Sequence, residues 1–339
     1  MSASSPVRVA PVEEALRRVR QALDAQTYFK LICGASFQDL SKIEALVEVY
    51  AYAGADCIDI ACEPPVLEAA LRAYEKLPEN ISKPLLMVSL DVDGDPHFRK
   101  VQVTRSRCVD CGDCLSSCPV EALSFDTSQQ FQINDARCYG CSRCLPTCPT
   151  EALSFKALQY LPEQLLEVLA HPMVGAVELH THHLDGSALG RLVKALGVTL
   201  HNKWISLCFR PQEHPPEAVD LYLKAFADHC AEIKPYGVML QIDGQAMQAS
   251  EAKESSLPAL DATRTLPASF ATRWKLTVSG GINLETARLR RLPPYRTIAG
   301  VGLGTLARKR IWSYLDQLED PVVFQHAIGV AQEMVQAFH

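Results

Sequence analysis

Eight of the thirteen cysteines fall in two copies of one pattern. Ser106–Phe125, SRCVDCGDCLSSCPVEALSF, recurs as Ala136–Phe155, ARCYGCSRCLPTCPTEALSF, and each copy carries C-x2-C-x2-C-x3-C-P. Three thiolates on one tight loop can hold three corners of an iron–sulfur cubane, and in this pattern the fourth Cys reaches across to the other cluster. The expected ligands are therefore Cys108, Cys111, Cys114 and Cys148 for one 4Fe–4S cluster, and Cys138, Cys141, Cys144 and Cys118 for a second. Structural zinc is the rival, but zinc ribbons use paired C-x2-C knuckles rather than a triple run with a trailing Cys-Pro. Gly112 and Gly140 relieve backbone crowding, and Pro119 and Pro149 fix the chain direction after the last ligand. A short helix is expected over each EAL. Such clusters take up electrons singly, with no proton chemistry required of the protein.

Something must position these loops. The remaining sequence alternates strand-like and helix-like segments. Candidate strands are Phe29–Ser36, Cys57–Cys62, Leu85–Asp91, Ala176–His182, Trp204–Arg210, Val238–Asp243, Lys275–Ser279 and Thr297–Val301. Amphipathic runs lie between them: Leu40–Tyr52, Val66–Leu77, Leu161–Ala170, Ser187–Leu196, Pro216–Cys230 and Leu284–Arg291, with a closing helix near Val322–Phe338. This predicts an α/β fold, a TIM-like (β/α)8 barrel with an inserted bacterial-type ferredoxin domain of α+β character that would hold both clusters. An open doubly wound sheet is the alternative. The expected division is an N-terminal helix over 1–28, barrel over 29–99, ferredoxin-like insert over 100–157, and barrel again over 158–339. Gly244–Arg273, where Ser and Pro accumulate and helical periodicity is poor, reads as a long loop over the barrel mouth or a surface insertion. The insert would then be an enlarged loop after strand three, on the face where barrel ligands bind.

The 339 residues, 48% apolar, carry a formal charge of −6 and no run of Lys or Arg. That balance argues against nucleic acid and anionic lipid as partners. No apolar stretch is long enough to span a bilayer, and the segment around Glu13, Glu14 and Arg17 reads as a charged amphipathic helix rather than a signal sequence. A transit peptide is the rival there. A cytoplasmic protein is expected, and cysteines without a secretory signal point to metal ligation rather than disulfides.

Strand alternation places Asp59, Ser89, Asp91, Glu178, His180, His182, Ser206, Arg210, Gln241, Asp243, Lys275, Thr277 and Ser279 on the inward face or at the C-terminal rim. A barrel filled for stability alone would carry Val, Ile and Leu there. Burying ionisable groups requires partners or a ligand, so the pattern implies either a polar pocket, with Glu178, His180, Arg210, Asp243 and Lys275 as candidates, or a self-satisfied ion-pair network. His180 and His182 share a face and invite a metal reading, against neutral hydrogen-bonded histidine. Cys33, Cys57, Cys62, Cys208 and Cys230 have no ligand spacing and read as buried small residues. Ser279-Gly280-Gly281 ends strand seven, and Gly300-Val301-Gly302-Leu303-Gly304 runs from strand eight, with Arg308 and Lys309 following. Barrels commonly build a phosphate site in these two loops, although tight packing also explains such glycines.

The chain resembles the LdpA family, the light-dependent period iron–sulfur proteins of cyanobacteria. The resemblance rests on the tandem motif within this host and on its flanks KLICGAS, AGADCIDIACEPP, PLLMVSLDVDGDPHFRKV, VELHTHHLD, VSGGIN and AGVGLGTLARK. It implies a redox sensor that conveys light-dependent redox state to the circadian clock, working beside CikA, KaiA and SasA. A second reading is an oxidoreductase whose clusters pass electrons to a phosphate-bearing cofactor such as FMN, held by Gly280, Gly281, Gly302 and Gly304. A plain electron carrier would leave the large barrel unexplained.

Overall fold

The computed structural model describes residues 11–158, 162–244 and 254–339. The chain begins with α1 (Pro11–Ala25), β1 (Tyr28–Ile32), α2 (Leu40–Ala53), β2 (Cys57–Ala61), α3 (Pro64–Lys76) and β3 (Leu85–Asp91). Four short strands follow: β4 (Arg99–Val103), β5 (Leu123–Phe125), β6 (Phe131–Ile133) and β7 (Leu153–Ala157). The alternation then resumes with α4 (Pro162–Ala170), β8 (Val174–His180), α5 (Gly186–Leu196), β9 (Trp204–Phe209), α6 (Pro216–Ile233) and β10 (Gly237–Asp243). It ends with α7 (Leu257–Ala262), α8 (Ala268–Arg273), β11 (Lys275–Ser279), α9 (Leu284–Leu289), β12 (Ile298–Leu303), α10 (Thr305–Ile311) and α11 (Pro321–Phe338).

Strands β1–β3 and β8–β12 close into a parallel barrel in the order β1-β12-β11-β10-β9-β8-β3-β2. The β1–β12 pairing, Tyr28 beside Gly300 through Leu31 beside Leu303, is what an open sheet would lack. The expected barrel is therefore the fold, and β4–β7 stand in the connection after β3. Local chemistry places the helices. Asp39 caps α2 by accepting from the Lys42 amide, and Gly54 ends it at φ 87°. Asp185 caps α5, and Asn283 and Thr286 form a capping box on α9.

Alternation along each strand separates two cores. Phe29 and Leu31 face outward, and the Phe29 ring packs on Tyr50 of α2 at 6.2 Å and on Phe338 of α11 at 6.1 Å. Inside the barrel, the N-terminal layer is apolar: Tyr28, Cys57, Met87, Ala176, Trp204 and Met239 pack on Leu16, Val19 and Leu23 of α1. The amphipathic segment expected near Glu13 thus seals the bottom of the barrel, and Trp204 Nε1 donates to Leu16 O at 3.3 Å. Above this plug the interior turns polar.

Several boundaries differ from expectation. The first strand ends at Ile32, before Gly34 at φ 121° turns the chain towards α2. The strand expected over Ala176–His182 runs from Val174 to His180, because the Asp93 carboxylate takes the His182 and His183 amides. Neither EAL is helical: Glu121 and Glu151 both sit at φ 51°, and Leu123 and Leu153 begin β5 and β7. From 254 onwards the stretch read as a loop holds α7 and α8; residues 245–253, like 1–10 and 159–161, lie outside the described ones. Among the described residues no helix is long and apolar enough to cross a membrane.

Candidate functional site

The insert is two antiparallel ribbons, β4 with β7 and β5 with β6, carrying the cysteine loops between them. Repetition in sequence becomes repetition in hydrogen bonding. Thr104 N donates to Ala152 O, and Asn134 N, at the equivalent place, donates to Ala122 O. Each late cysteine is thereby delivered to the opposite loop. Cys108, Cys111, Cys114 and Cys148 line one cavity, and Cys118, Cys138, Cys141 and Cys144 line another. None is in a disulfide. Backbone N–H groups point at three sulfurs: Ala122 N at Cys118 Sγ (3.2 Å), Ala152 N at Cys148 Sγ (3.2 Å) and Val101 N at Cys138 Sγ (3.3 Å). Burial, with neighbouring cysteines adding to it, pushes the Cys144 thiol up to about 12 and the Cys114 thiol to about 11. Four thiolates so placed require positive charge among them, and amide-supported sulfurs in sets of four fit an iron–sulfur cubane.

The two cradles are not equivalent. The first faces solvent, with Cys111 exposed and Val109 64% exposed. The second faces the barrel. Lys100, only 2% exposed, donates to Gln38 Oε1 and Asp135 O; Gln38 N donates to Ala136 O; and Arg137 Nε pairs with Asp39 Oδ2 at 2.8 Å. These contacts fix the second loop against the β1–α2 connection. Gly140 is required there: at φ 68° a Cβ would lie 2.4 Å from the Arg99 carbonyl oxygen.

Tyr139, between Cys138 and Gly140, therefore lines both the second cradle and a cavity at the barrel mouth. Arg308 stacks its guanidinium 4.4 Å from the Tyr139 ring centre and donates to Ile32 O and Cys33 O at 2.7 Å each. The mouth cavity, about 790 Å³ counting the part open to solvent, is also lined by Asp59, His97, Glu178, His180, Cys208, Gln241, Asp243, Ser279, Gly280, Gly281, Gly302 and Gly304.

At its floor lies a network that sequence reading caught in part. Glu178 accepts from Ser206 Oγ (2.8 Å), from Gln241 Nε2 (2.8 Å) and from Lys30 Nζ, and both Lys30 and Glu178 are wholly buried. Burial pushes the Glu178 carboxyl upward, but Lys30 and His180 outweigh it and hold the group at about 2. Burial and the nearby Glu178 instead raise Asp59, which accepts from Ser89 Oγ at 2.7 Å, to about 6 despite Lys30. Lys30 was absent from the expected inward set, although it alternates with outward Phe29 and Leu31. Asp95, His97 and Tyr139 were missed because they lie in loops, where strand parity gives no signal.

The other expected residues divide. Glu178, His180, Asp243, Ser279 and the four loop glycines do meet at the cavity. Lys275 does not: it pairs laterally with Met239 in the lower layer, and its half-exposed amine binds Asp24 of α1 at 2.5 Å. Arg210 braces the wall from behind, its Nε 2.9 Å from Asp243 Oδ2 and its Nη1 3.2 Å from Glu213. His182 leaves the barrel beyond the strand end and meets His183 edge to face, so the pairing of His180 with His182 is not formed. Cys208, read as a packing residue, faces the interior and accepts from Gln241 Nε2 at 3.4 Å. Packing accounts for two of the glycines: a Cβ on Gly281 would strike Ser255 O at 2.1 Å, and one on Gly302 would crowd Ile32, Gln241 and Lys30.

The raised Asp59 group has a consequence for stability. Its folded value lies above that of the unfolded chain, so its contribution is fully present below about pH 4 and is lost as pH rises through about 6. Wild-type stability towards urea should fall by about 1.4 kcal/mol between pH 5 and pH 7.5 from this group alone. Asp59→Asn should remove that slope; equal slopes in the two proteins would show that Asp59 does not titrate there.

Comparison with known proteins adds to this geometry. The 4Fe-4S dicluster domain family matches residues 101–155, and the Light dependent period A C-terminal domain family matches residues 168–338. Light dependent period A of Synechococcus elongatus is 41% identical over 130 residues, covering 30% of this chain and 37% of that protein. The match thus spans little more than a third of that relative's length. Among solved structures, the chain is similar to fructose-bisphosphate aldolase (Fba) from Campylobacter jejuni at 8% identity, covering 97% of this chain and 92% of that one with a TM-score of 0.49. A putative fructose-1,6-biphosphate aldolase from Coccidioides immitis gives 9% identity, 97% and 95% coverage, and a TM-score of 0.48.

Proposed function

This chain belongs to the Light dependent period A family and carries a 4Fe-4S dicluster domain, and on that premise we propose that it is a cytoplasmic redox sensor whose two clusters report light-dependent redox state to circadian clock proteins. Clusters held by Cys108, Cys111, Cys114 and Cys148 and by Cys138, Cys141, Cys144 and Cys118 supply one-electron storage. The observation that carries the reading is Tyr139, which lines both the second cysteine cradle and the barrel mouth. A charge change among the second set of sulfurs acts on the loop that bears Tyr139. Arg308 stacks on that ring and holds the carbonyls that end β1, so the same change bears on the shape of the mouth. The first cradle, with exposed Cys111 and Val109, is the side open to an electron donor.

A sensor needs cluster oxidation state to alter the free energy of a contact. Binding of the clock-associated proteins CikA, KaiA and SasA to oxidised and reduced protein, measured anaerobically, should differ at least about fivefold for one of them. Tyr139→Leu should shrink that difference while leaving iron content unchanged. Equal affinities in the two states for all three would contradict the sensor.

A second reading is favoured by Gly280, Gly281, Gly302 and Gly304 converging on the same cavity. It is an oxidoreductase in which electrons reach FMN or another phosphate-bearing ligand at the mouth. Acid denaturation of anaerobically purified protein should then release flavin or organic phosphate in about equal amount to the chain. Recovery of neither would exclude it.

A further inference from the structure

We propose that Asp95, His97 and His180 form a binding site for one divalent transition-metal ion of the zinc type, sulfur-free and separate from the cysteine cradles. The three side chains come from different places: His180 ends β8, while Asp95 and His97 lie in the turn between β3 and β4. That turn is built by two other acids. Asp91 Oδ1 accepts the amides of Asp93, Gly94 and Asp95, and the Asp93 carboxylate accepts from Thr181 Oγ1 and from the amides of His182, His183 and Asp185. Asp91 and Asp93 are thus occupied in shaping the loop. Asp95 is what the loop delivers to His180.

One donor atom from each of Asp95, His97 and His180 lies within 4.8 Å of the others. Asp95 Oδ1 is hydrogen-bonded to His97 Nδ1 at 2.5 Å, accepts from the His97 amide at 2.8 Å and stands 3.9 Å from His180 Nδ1. Zinc with bonds of about 2.0–2.1 Å in tetrahedral geometry separates its ligand atoms by roughly 3.4 Å, so on metal binding the Asp95–His97 contact would open by about 0.9 Å and the Asp95–His180 pair close by about 0.5 Å. Two imidazoles and one carboxylate are a borderline-soft donor set suited to zinc rather than to calcium or magnesium.

Independent support comes from His180 itself. It is 5% exposed and lines the mouth cavity, yet neither ring nitrogen makes a well-formed hydrogen bond within the protein. Its Nε2 lies 3.2 Å from Glu178 Oε1, leaving Nδ1 turned towards Asp95. A metal-bound histidine characteristically directs its other nitrogen at a carboxylate, which fixes the ring and raises its basicity. Glu178 is suited to that positioning part, being held by Lys30, Ser206 and Gln241. The competing set of Glu178, His180 and Cys208 is wholly buried, and its carboxylate is already satisfied by three donors. By contrast His97 is partly exposed and lines the cavity, so an ion there keeps an open position towards a small ligand.

The test uses the full chain with its iron intact, handled anaerobically and equilibrated with chelator-buffered zinc alone. Zinc, iron and acid-labile sulfide are then counted per chain by elemental analysis. Wild type should take up about one zinc without losing iron. His97→Ala, at a partly exposed position, and Asp95→Asn should each weaken zinc binding tenfold or more with iron and sulfide unchanged. Glu178→Gln should weaken it about 10–100-fold as a positioning change. The site is overturned if wild type takes up no zinc at micromolar free metal, if His97→Ala binds zinc as wild type does, or if zinc enters only as iron leaves, which would place it at the cysteines.

Discussion

Replacing Lys30 with methionine is expected to lower stability by about 3–5 kcal/mol, although the side chain is matched in length and the barrel interior stays filled. Lys30 and Glu178 are both fully buried, with Lys30 Nζ donating to Glu178 Oε2 and lying 3.5 Å from Met87 Sδ. Removing the cation leaves a carboxylate in a low-dielectric interior with Ser206 and Gln241 as donors and His180 beside it. The contribution of Glu178 to the pH dependence should also reverse. In wild type the Glu178 value is held at about 2, below that of the unfolded chain, so its stabilisation is present above about pH 4 and is lost as pH falls through about 2. Without Lys30, burial dominates and lifts the group above its unfolded value, so Lys30→Met should lose more stability than wild type as pH rises from 5 to 8. Adding Glu178→Gln should recover most of the loss. Anaerobic urea unfolding at pH 5 and pH 8 measures both effects; a loss below about 1 kcal/mol would mean that the pair does not hold the barrel centre.

How much of this was legible beforehand follows from what each signal encodes. Strands β3 and β11 were bounded correctly because each is a run flanked by Pro84 or Trp274 on one side and by acidic or Gly-rich turns on the other. Parity found Glu178, Gln241 and Asp243 because they alternate with Leu179, Leu240 and Ile242, which meet the helix layer. It does not report depth. Lys275 has the right parity and the wrong height, and pairs with Asp24 at the bottom rim. Lys30 shares the same parity signal in β1 and could have been found by applying it to every strand. Asp95, His97 and Tyr139 are a different matter, since their positions depend on how the insert docks through Lys100, Arg137 and Gly140 onto the β1–α2 connection. No local pattern encodes that docking. The repeat, by contrast, was legible down to which cysteines share a cavity, because their spacing is written directly into sequence.

That crossing leads to the second large effect. Cys118→Ala should strip the cluster of the other loop, held by Cys138, Cys141 and Cys144, and spare the one held by Cys108, Cys111, Cys114 and Cys148. The reason is geometric: Cys118 lines the cavity of the second set although it follows Cys114 in sequence. Pairing variants exposes which residues share a cluster. Cys118→Ala with Cys138→Ala should lose no more iron than either change alone, whereas Cys118→Ala with Cys108→Ala should lose all of it.

The direct measurement is therefore iron and acid-labile sulfide per chain, counted in anaerobically prepared wild type and in these variants. Two crossed 4Fe–4S clusters predict about eight of each in wild type, about four in Cys118→Ala and in Cys118→Ala with Cys138→Ala, and close to none in Cys118→Ala with Cys108→Ala. Wild-type protein without stoichiometric iron and sulfide, or half the iron persisting when Cys118 and Cys108 are both replaced, would contradict it.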